Sequence, residues 1–165
     1  MTRSFDIEIA QNTDIPELLD FVLDARQSMF PKLHGTALPA DLREFEQHYV
    51  QGAGCFLLAR QQGQIIGSIG YLHYDRRFAN FAYPGLKVVE VVRLFVAPEY
   101  RRAGLASALY LALQGIAQQA GVEVMYLHTH PFLPGAVEFW QRQGFEVIGV
   151  DADPVWQTTH MQSPL

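Results

Sequence analysis

The chain has 165 residues, 49% of them hydrophobic and 18% charged, with a net charge of −5. That length fits one domain with a sizeable core, excludes a disordered or low-complexity chain, and offers no general attraction to nucleic acid or anionic lipid. A single cysteine, Cys55, excludes an internal disulfide framework and a cysteine zinc cluster.

Met1 to Ile9 lacks an apolar segment of signal-peptide length, and no apolar run is long enough to span a bilayer. The expected location is cytoplasmic, with neither membrane nor nucleic acid as a partner. Phe5 to Ala10 alternates as a first strand. Asp14 and Glu17 form a capping-box-like start for a helix carrying Ile15, Leu18, Leu19, Val22 and Leu23 at helical spacing. A loop from Met29 to Pro39 leads to a short second helix, Pro39 to Tyr49, with Leu42, Phe45 and Tyr49 inward. Cys55–Arg60 and Gln64–His73 read as a hairpin around Gln61-Gln62-Gly63. A polar, aromatic-bearing loop, Asp75 to Gly85, precedes a β-branched strand, Leu86 to Val96.

Pro98 ends that strand. After Gly104 comes the clearest helix, with Leu105, Ala108, Leu109, Ala112, Leu113, Ile116 and Ala117 in one stripe and Gly121 at its C-terminal cap. Val122–His128 is a further strand, Ala136–Gln143 a short helix before Gly144, and Phe145–Val150 and Val155–Met161 a closing antiparallel pair. The alternation of strands and helices predicts one α/β (α+β) domain over residues 1–165.

The informative stretch is Leu94-Phe95-Val96-Ala97-Pro98-Glu99-Tyr100-Arg101-Arg102-Ala103-Gly104-Leu105-Ala106. A strand, a turn and a helix opening with small residues present unpaired amides and the positive end of a helix dipole. That makes it either a phosphate cradle or a plain turn. It fits neither the P-loop nor the dinucleotide fingerprint. Arg-x-x-Gly-x-Ala at Arg101–Ala106, preceded by Leu-x-Val-x-Pro at Leu94–Pro98, resembles the pyrophosphate motif of the GNAT superfamily of acyl-CoA N-acyltransferases. Ala136-Val137-Glu138-Phe139-Trp140-Gln141-Arg142-Gln143-Gly144-Phe145 resembles the late helix of that family, and the element order matches from Phe5 to Met161.

The resemblance implies a mixed, mostly antiparallel sheet of six to seven strands flanked by about four helices, with two central parallel strands splayed apart. It implies acetyl-CoA as co-substrate; no metal is expected, because no third ligand can be named beside His128 and His130. Leu94, Phe95 and Val96 would offer backbone groups to pantetheine; Arg101, Arg102, Ala103, Gly104, Leu105, Ala106 and Ser107 would cradle the pyrophosphate; Phe139 and Trp140 would line the pantetheine arm. It is compatible with a homodimer. Trp140 stands where the family often has an acidic tyrosine, and Leu133 where it often has asparagine.

Amine attack on a thioester needs a proton acceptor. Glu90 stands at the offset of a catalytic glutamate in the histone-acetylating branch of the family; the alternative is a rim carboxylate paired with arginine. Strand alternation would place Glu90, Val92, Leu94 and Val96 on one face and Val91, Arg93 and Phe95 on the other. Arg93, in an apolar run, then needs a structural carboxylate or a substrate anion as partner. Arg76 and Arg77 are loop arginines able to grip a carboxylate. His128 and His130 share one strand face as acceptor-site candidates, with proton-handling and structural readings both open. Tyr126 and His128 are candidates for the missing acid. The expected reaction is acetyl transfer to a primary amine of a small molecule. Transfer to a protein lysine or N-terminus, or non-catalytic acyl-CoA binding, are the alternatives.

Overall fold

A computed structural model of the chain describes residues 4–31 and 35–165. Residues 32–34 of the predicted Met29–Pro39 loop and the first three of the chain lie outside the described residues. Eleven elements organise the rest: β1 (Asp6–Ile9), α1 (Ile15–Met29), α2 (Ala40–Arg43), β2 (Cys55–Gln61), β3 (Gln64–His73), β4 (Val88–Val96), α3 (Leu105–Gln119), β5 (Val124–Thr129), α4 (Ala136–Arg142), β6 (Glu146–Val150) and β7 (Thr159–Pro164). The strand order is β1-β2-β3-β4-β5-β7-β6. The β4–β5 pair is parallel, while β1–β2, β2–β3, β5–β7 and β6–β7 are antiparallel. This is the mixed, mostly antiparallel sheet that the sequence predicted.

The residues group into two compact units, one of Met1–Leu72 with Val92–Ile116, the other of His73–Val91 with Ala117–Leu165. In the first, Leu18, Val22, Leu42, Phe45, Tyr49, Phe56, Leu58 and Phe95 form a buried core. The β2–β3 hairpin turns at Gln62 and Gly63, both with positive φ (51° and 80°). That is the backbone a tight hairpin needs and the reason for a glycine there. Helix α1 starts differently from expectation. The Asp14 side chain caps backward, accepting the Gln11 N–H at 2.9 Å, so the reciprocal pair is Gln11/Asp14 instead of Asp14/Glu17. The predicted Pro39–Tyr49 helix breaks at Glu44 (φ −115°, ψ 45°) and resumes as a wider π turn over Glu46–Val50. Leu42, Phe45 and Tyr49 still face inward, and the Tyr49 hydroxyl donates to Asp41 at 2.6 Å.

A third correction concerns β4. Arg93 has φ +58°, a left-handed conformation inside a strand. Simple alternation therefore fails at that point: Val92 and Phe95, three residues apart, pack on the same core. The distortion is held from two sides. The buried Ser68 hydroxyl donates to the Arg93 carbonyl at 2.9 Å, and the Arg93 guanidinium makes two bonds to Asp41, at 3.1 and 2.8 Å. Strain of this kind persists only where its surroundings fix it. The α3 face formed by Leu105, Leu109 and Leu113 is buried as expected.

In the second unit, Tyr74, Val88, Val124 and Tyr126 form the core, with Phe78, Phe81 and Tyr83 of the 74–87 loop packed on it. α3 closes with Val122 N–H bonded to the Ala117 carbonyl and Gly121 N–H to Gln118, the Schellman arrangement. The closing strand begins at Thr159, not Val155. Asp153 accepts the Val155 N–H at 2.8 Å in a local turn, and Gln157 has φ +44°. Side-chain capture of the backbone competes there with strand pairing. β7 then pairs with both β5 and β6.

Candidate active site

The first unit contributes an open turn. After Val96 the Ala97 N–H is tied to the Ile66 carbonyl, and Pro98–Tyr100 forms one 3-10 turn. Arg101, Arg102, Ala103 and Gly104 are exposed, with Arg102 (φ 63°) and Gly104 (φ 80°) both left-handed. A Cβ added at Gly104 would meet no atom within 4 Å. The Ala108 N–H donates to the Gly104 carbonyl, so the turn leads directly into the first turn of α3. Leu105 is buried beneath the turn, and Ala106 and Ser107 are half-buried. The Arg101 Nε curls back to the Val96 carbonyl at 3.2 Å. Leu94 and Val96 are half-buried and Phe95 is in the core. Arg93 is bound to Asp41, as described above.

The second unit contributes an ionisable cluster. Glu90, in β4, is only 6% exposed. Both its oxygens are taken by Arg77, Nη1 to Oε1 at 2.7 Å and Nη2 to Oε2 at 2.9 Å. Arg77 also donates to Asp75 at 2.9 Å and lies 4.6 Å over the Phe78 ring. Its hydrogen bond to Glu90, outweighing burial, holds it above the usual arginine range. Arg76 instead staples the loop, donating to the carbonyls of Ala82, Tyr83 and Leu86.

His128, in β5, has its Nδ1 3.5 Å from Glu90 Oε2, an ion-pair distance. That nitrogen is buried and makes no hydrogen bond. Burial first, then Arg77, His130 and His160, push the imidazole down to about 4 against the opposing pull of Glu90, so it is neutral at pH 7. His130 lies just past the end of β5, so, against expectation, the two histidines do not share a strand; His130 pairs with the Trp156 carbonyl at 3.2 Å and stacks on Phe132 at 5.1 Å. Burial lowers it too.

Tyr126 lies opposite Glu90 in the β4–β5 register, which ends at that pair. Its hydroxyl is 2.6 Å from His160 Nδ1, and His160 Nε2 is 3.0 Å from Asp151 Oδ1. The chain is consistent with Tyr126 donating to His160, and His160 donating through Nε2 to Asp151. Burial, then the Glu90 charge, raise Tyr126 far above the usual phenol, which makes it a poor proton donor. Phe78 packs 4.7 Å from His160 and 5.9 Å from Tyr126. On α4, Trp140 is buried between Phe139 (4.9 Å) and Phe145 (5.3 Å). Among the described residues no three His, Cys, Asp or Glu converge as a metal set.

Sequence reasoning did not find the wall that Phe78 and Phe81 make, nor Asp41 and Ser68. The only local signal was the density of aromatics in a polar loop.

The model of the GNAT acetyltransferase family matches residues 19–145. The chain belongs to the GNAT acetyltransferase family. Human N-acetyltransferase 8 is 29% identical over 122 residues, 72% of this chain and 51% of that protein. The chain spans about half the length of several of the curated relatives it matches. A GNAT acetyltransferase of Staphylococcus aureus Mu50 shares the fold with TM-score 0.77 at 20% identity, covering 98% of this chain and 99% of that one. The PaiA N-acetyltransferase of Thermoplasma acidophilum, solved with coenzyme A, does so with TM-score 0.70 at 17% identity over 98% and 99%. No described helix of this GNAT chain is long and apolar enough to cross a membrane.

Proposed function

We propose that this chain uses acetyl-CoA to acetylate the primary amine of a small molecule. The carrying observation is the turn at Arg101–Gly104, exposed and left-handed at Arg102 and Gly104, with open space above Gly104. It fits a pyrophosphate: the helix-start amides donate to anionic oxygens, the missing Cβ permits close approach, and Arg101 and Arg102 supply charge. Acetyl-CoA, when bound, supplies a thioester carbonyl activated toward amines.

This chain's residues do the rest. Arg101 to Ser107 hold the pyrophosphate, and the backbone of Leu94, Phe95 and Val96 orients the arm that follows it. Phe139 and Trp140 are assigned to the same arm. The proton of the amine is handled at the Glu90 cluster. The acceptor is assigned to Glu90 because it is a buried carboxylate on β4, the strand that carries Leu94 to Val96. The lost general-acid tyrosine does not stop the reaction, since a thiol with pKa about 8.5 leaves as thiolate unaided.

The test is thiol release from acetyl-CoA by the purified protein across a panel of amino acids, polyamines and lysine peptides. Release that depends on a small amine is expected. Turnover confined to peptides would replace the small-molecule part, and coenzyme A binding without turnover on any amine would overturn the enzyme.

A further inference from the structure

Glu90 has the position of a base, but it is only 6% exposed and each carboxylate oxygen already accepts an Arg77 N–H, so an incoming amine finds it covered. His128 is arranged in the opposite way. Its Nδ1 is buried, unbonded and directed at Glu90 Oε2. Its side chain nevertheless keeps 31% of its surface exposed, so the ring's accessible edge is the one carrying Nε2. Facing a carboxylate at 3.5 Å, Nδ1 is best occupied by the proton, because a lone pair there would oppose the carboxylate's charge. That leaves the Nε2 lone pair on the open side.

We propose that His128, through Nε2, is the base that takes the acceptor's proton, and that Glu90 is a positioning residue that fixes its tautomer, held in place by Arg77. The inference rests on the acetyltransferase reading above. The neutral amine is the form that reacts, because only it has a lone pair to attack the thioester. The amine nitrogen forms a bond to the acetyl carbonyl carbon with its lone pair, and its N–H grows acidic as it does so. That proton passes to Nε2. The carbon–sulfur bond breaks with its electron pair on sulfur, and the imidazolium, steadied by Glu90, returns the proton through solvent to the thiolate. Amide and thiol are the only products.

The groups facing His128 are Glu90 on β4, Arg77 in the preceding loop, His130 just past the end of β5 and His160 on β7, with the Phe78 ring 6.0 Å away. None besides Glu90 presents a carboxylate, so substitution of Glu90 isolates the orienting contact.

The experiment combines kinetics with histidine nitrogen NMR on the full chain. His128→Ala is expected to lower kcat about 100-fold or more, the lower end for loss of a general base. Acetyl-CoA affinity should stay within twofold of wild type, and added imidazole should restore part of the rate. Glu90→Gln is expected to lower kcat about tenfold and to shift His128 toward the Nε2–H tautomer. In the wild-type protein His128 should carry its proton on Nδ1, a reading that needs no turnover. A His128→Ala enzyme within threefold of wild type, a wild-type His128 protonated on Nε2, or a Glu90→Gln loss larger than that of His128→Ala would each overturn the assignment. Failure of the wild-type protein to bind coenzyme A or release thiol with any amine would instead overturn the acetyltransferase reading.

Discussion

The Arg93–Asp41 pair offers the sharpest test of what holds β4 in its distorted path. Asp41 accepts two bonds from Arg93 and one from the Tyr49 hydroxyl. The side chains of Arg93 and Asp41 are only 18% and 13% exposed. Hydrogen bonds from Arg93 and Tyr49 hold the Asp41 carboxyl below its usual range although burial alone would raise it. Asp41→Ala strands a largely buried guanidinium and a buried phenol. It also leaves Arg93 facing Arg26, whose own basicity burial and Arg93 already depress. Breaking a fully buried pair costs about 3–5 kcal/mol; the residual exposure of Arg93 puts the expected loss near the bottom, about 3 kcal/mol. Urea unfolding with an unchanged m-value should read it as a lowered midpoint. The double variant Asp41→Ala/Arg93→Met, which removes the stranded charge, should recover much of the loss. A single-variant loss below about 1 kcal/mol, the range of a surface ion pair, would refute the idea that this pair anchors the strand.

Gly104→Glu should weaken coenzyme A binding at least about tenfold by calorimetry, since it places bulk and negative charge in the open space above the turn; unchanged affinity in a folded variant would move the pyrophosphate seat elsewhere. Ser68→Ala should cost about 1 kcal/mol by removing the bond to the Arg93 carbonyl, read again by urea unfolding. His128 has a folded value of about 4, below its unfolded value of 6.5. The unfolded chain therefore binds the proton first, so this contribution to stability is complete above pH 6.5 and erodes as pH falls toward 4. His128→Gln should flatten the stability-against-pH curve in that window, and an identical curve would show that the imidazole is not desolvated. Once kcat/KM is expressed per neutral amine, the same value places its remaining acid limb well below pH 6.5.

Much of the architecture was readable because its signals are local. The Gln62-Gly63 turn, the Leu105–Ala117 stripe and the Gly121 cap each state their geometry within a few residues. The open turn before α3 was readable for the same reason: Pro98, Gly104 and Ala106 act on their own backbone. The strand faces of β4 were misread because nothing near Arg93 in the sequence signals a left-handed residue. That conformation is stabilised by Ser68 and Asp41, 25 and 52 residues away. The start of β7 was misplaced because Asp153 captures backbone that Val155 and Trp156 would otherwise give to a strand.

What the sequence determined alone was therefore the order of elements, the inward faces of the helices and the open turn before α3, all governed by backbone preference and the periodicity of apolar residues. What only the tertiary structure decided was the state of each ionisable group. Glu90 reads the same in sequence whether it is free or clasped by Arg77, and His128 the same whether charged or neutral. Burial and the identity of the facing charge set those states, and both depend on which distant segments the fold brings to a side chain.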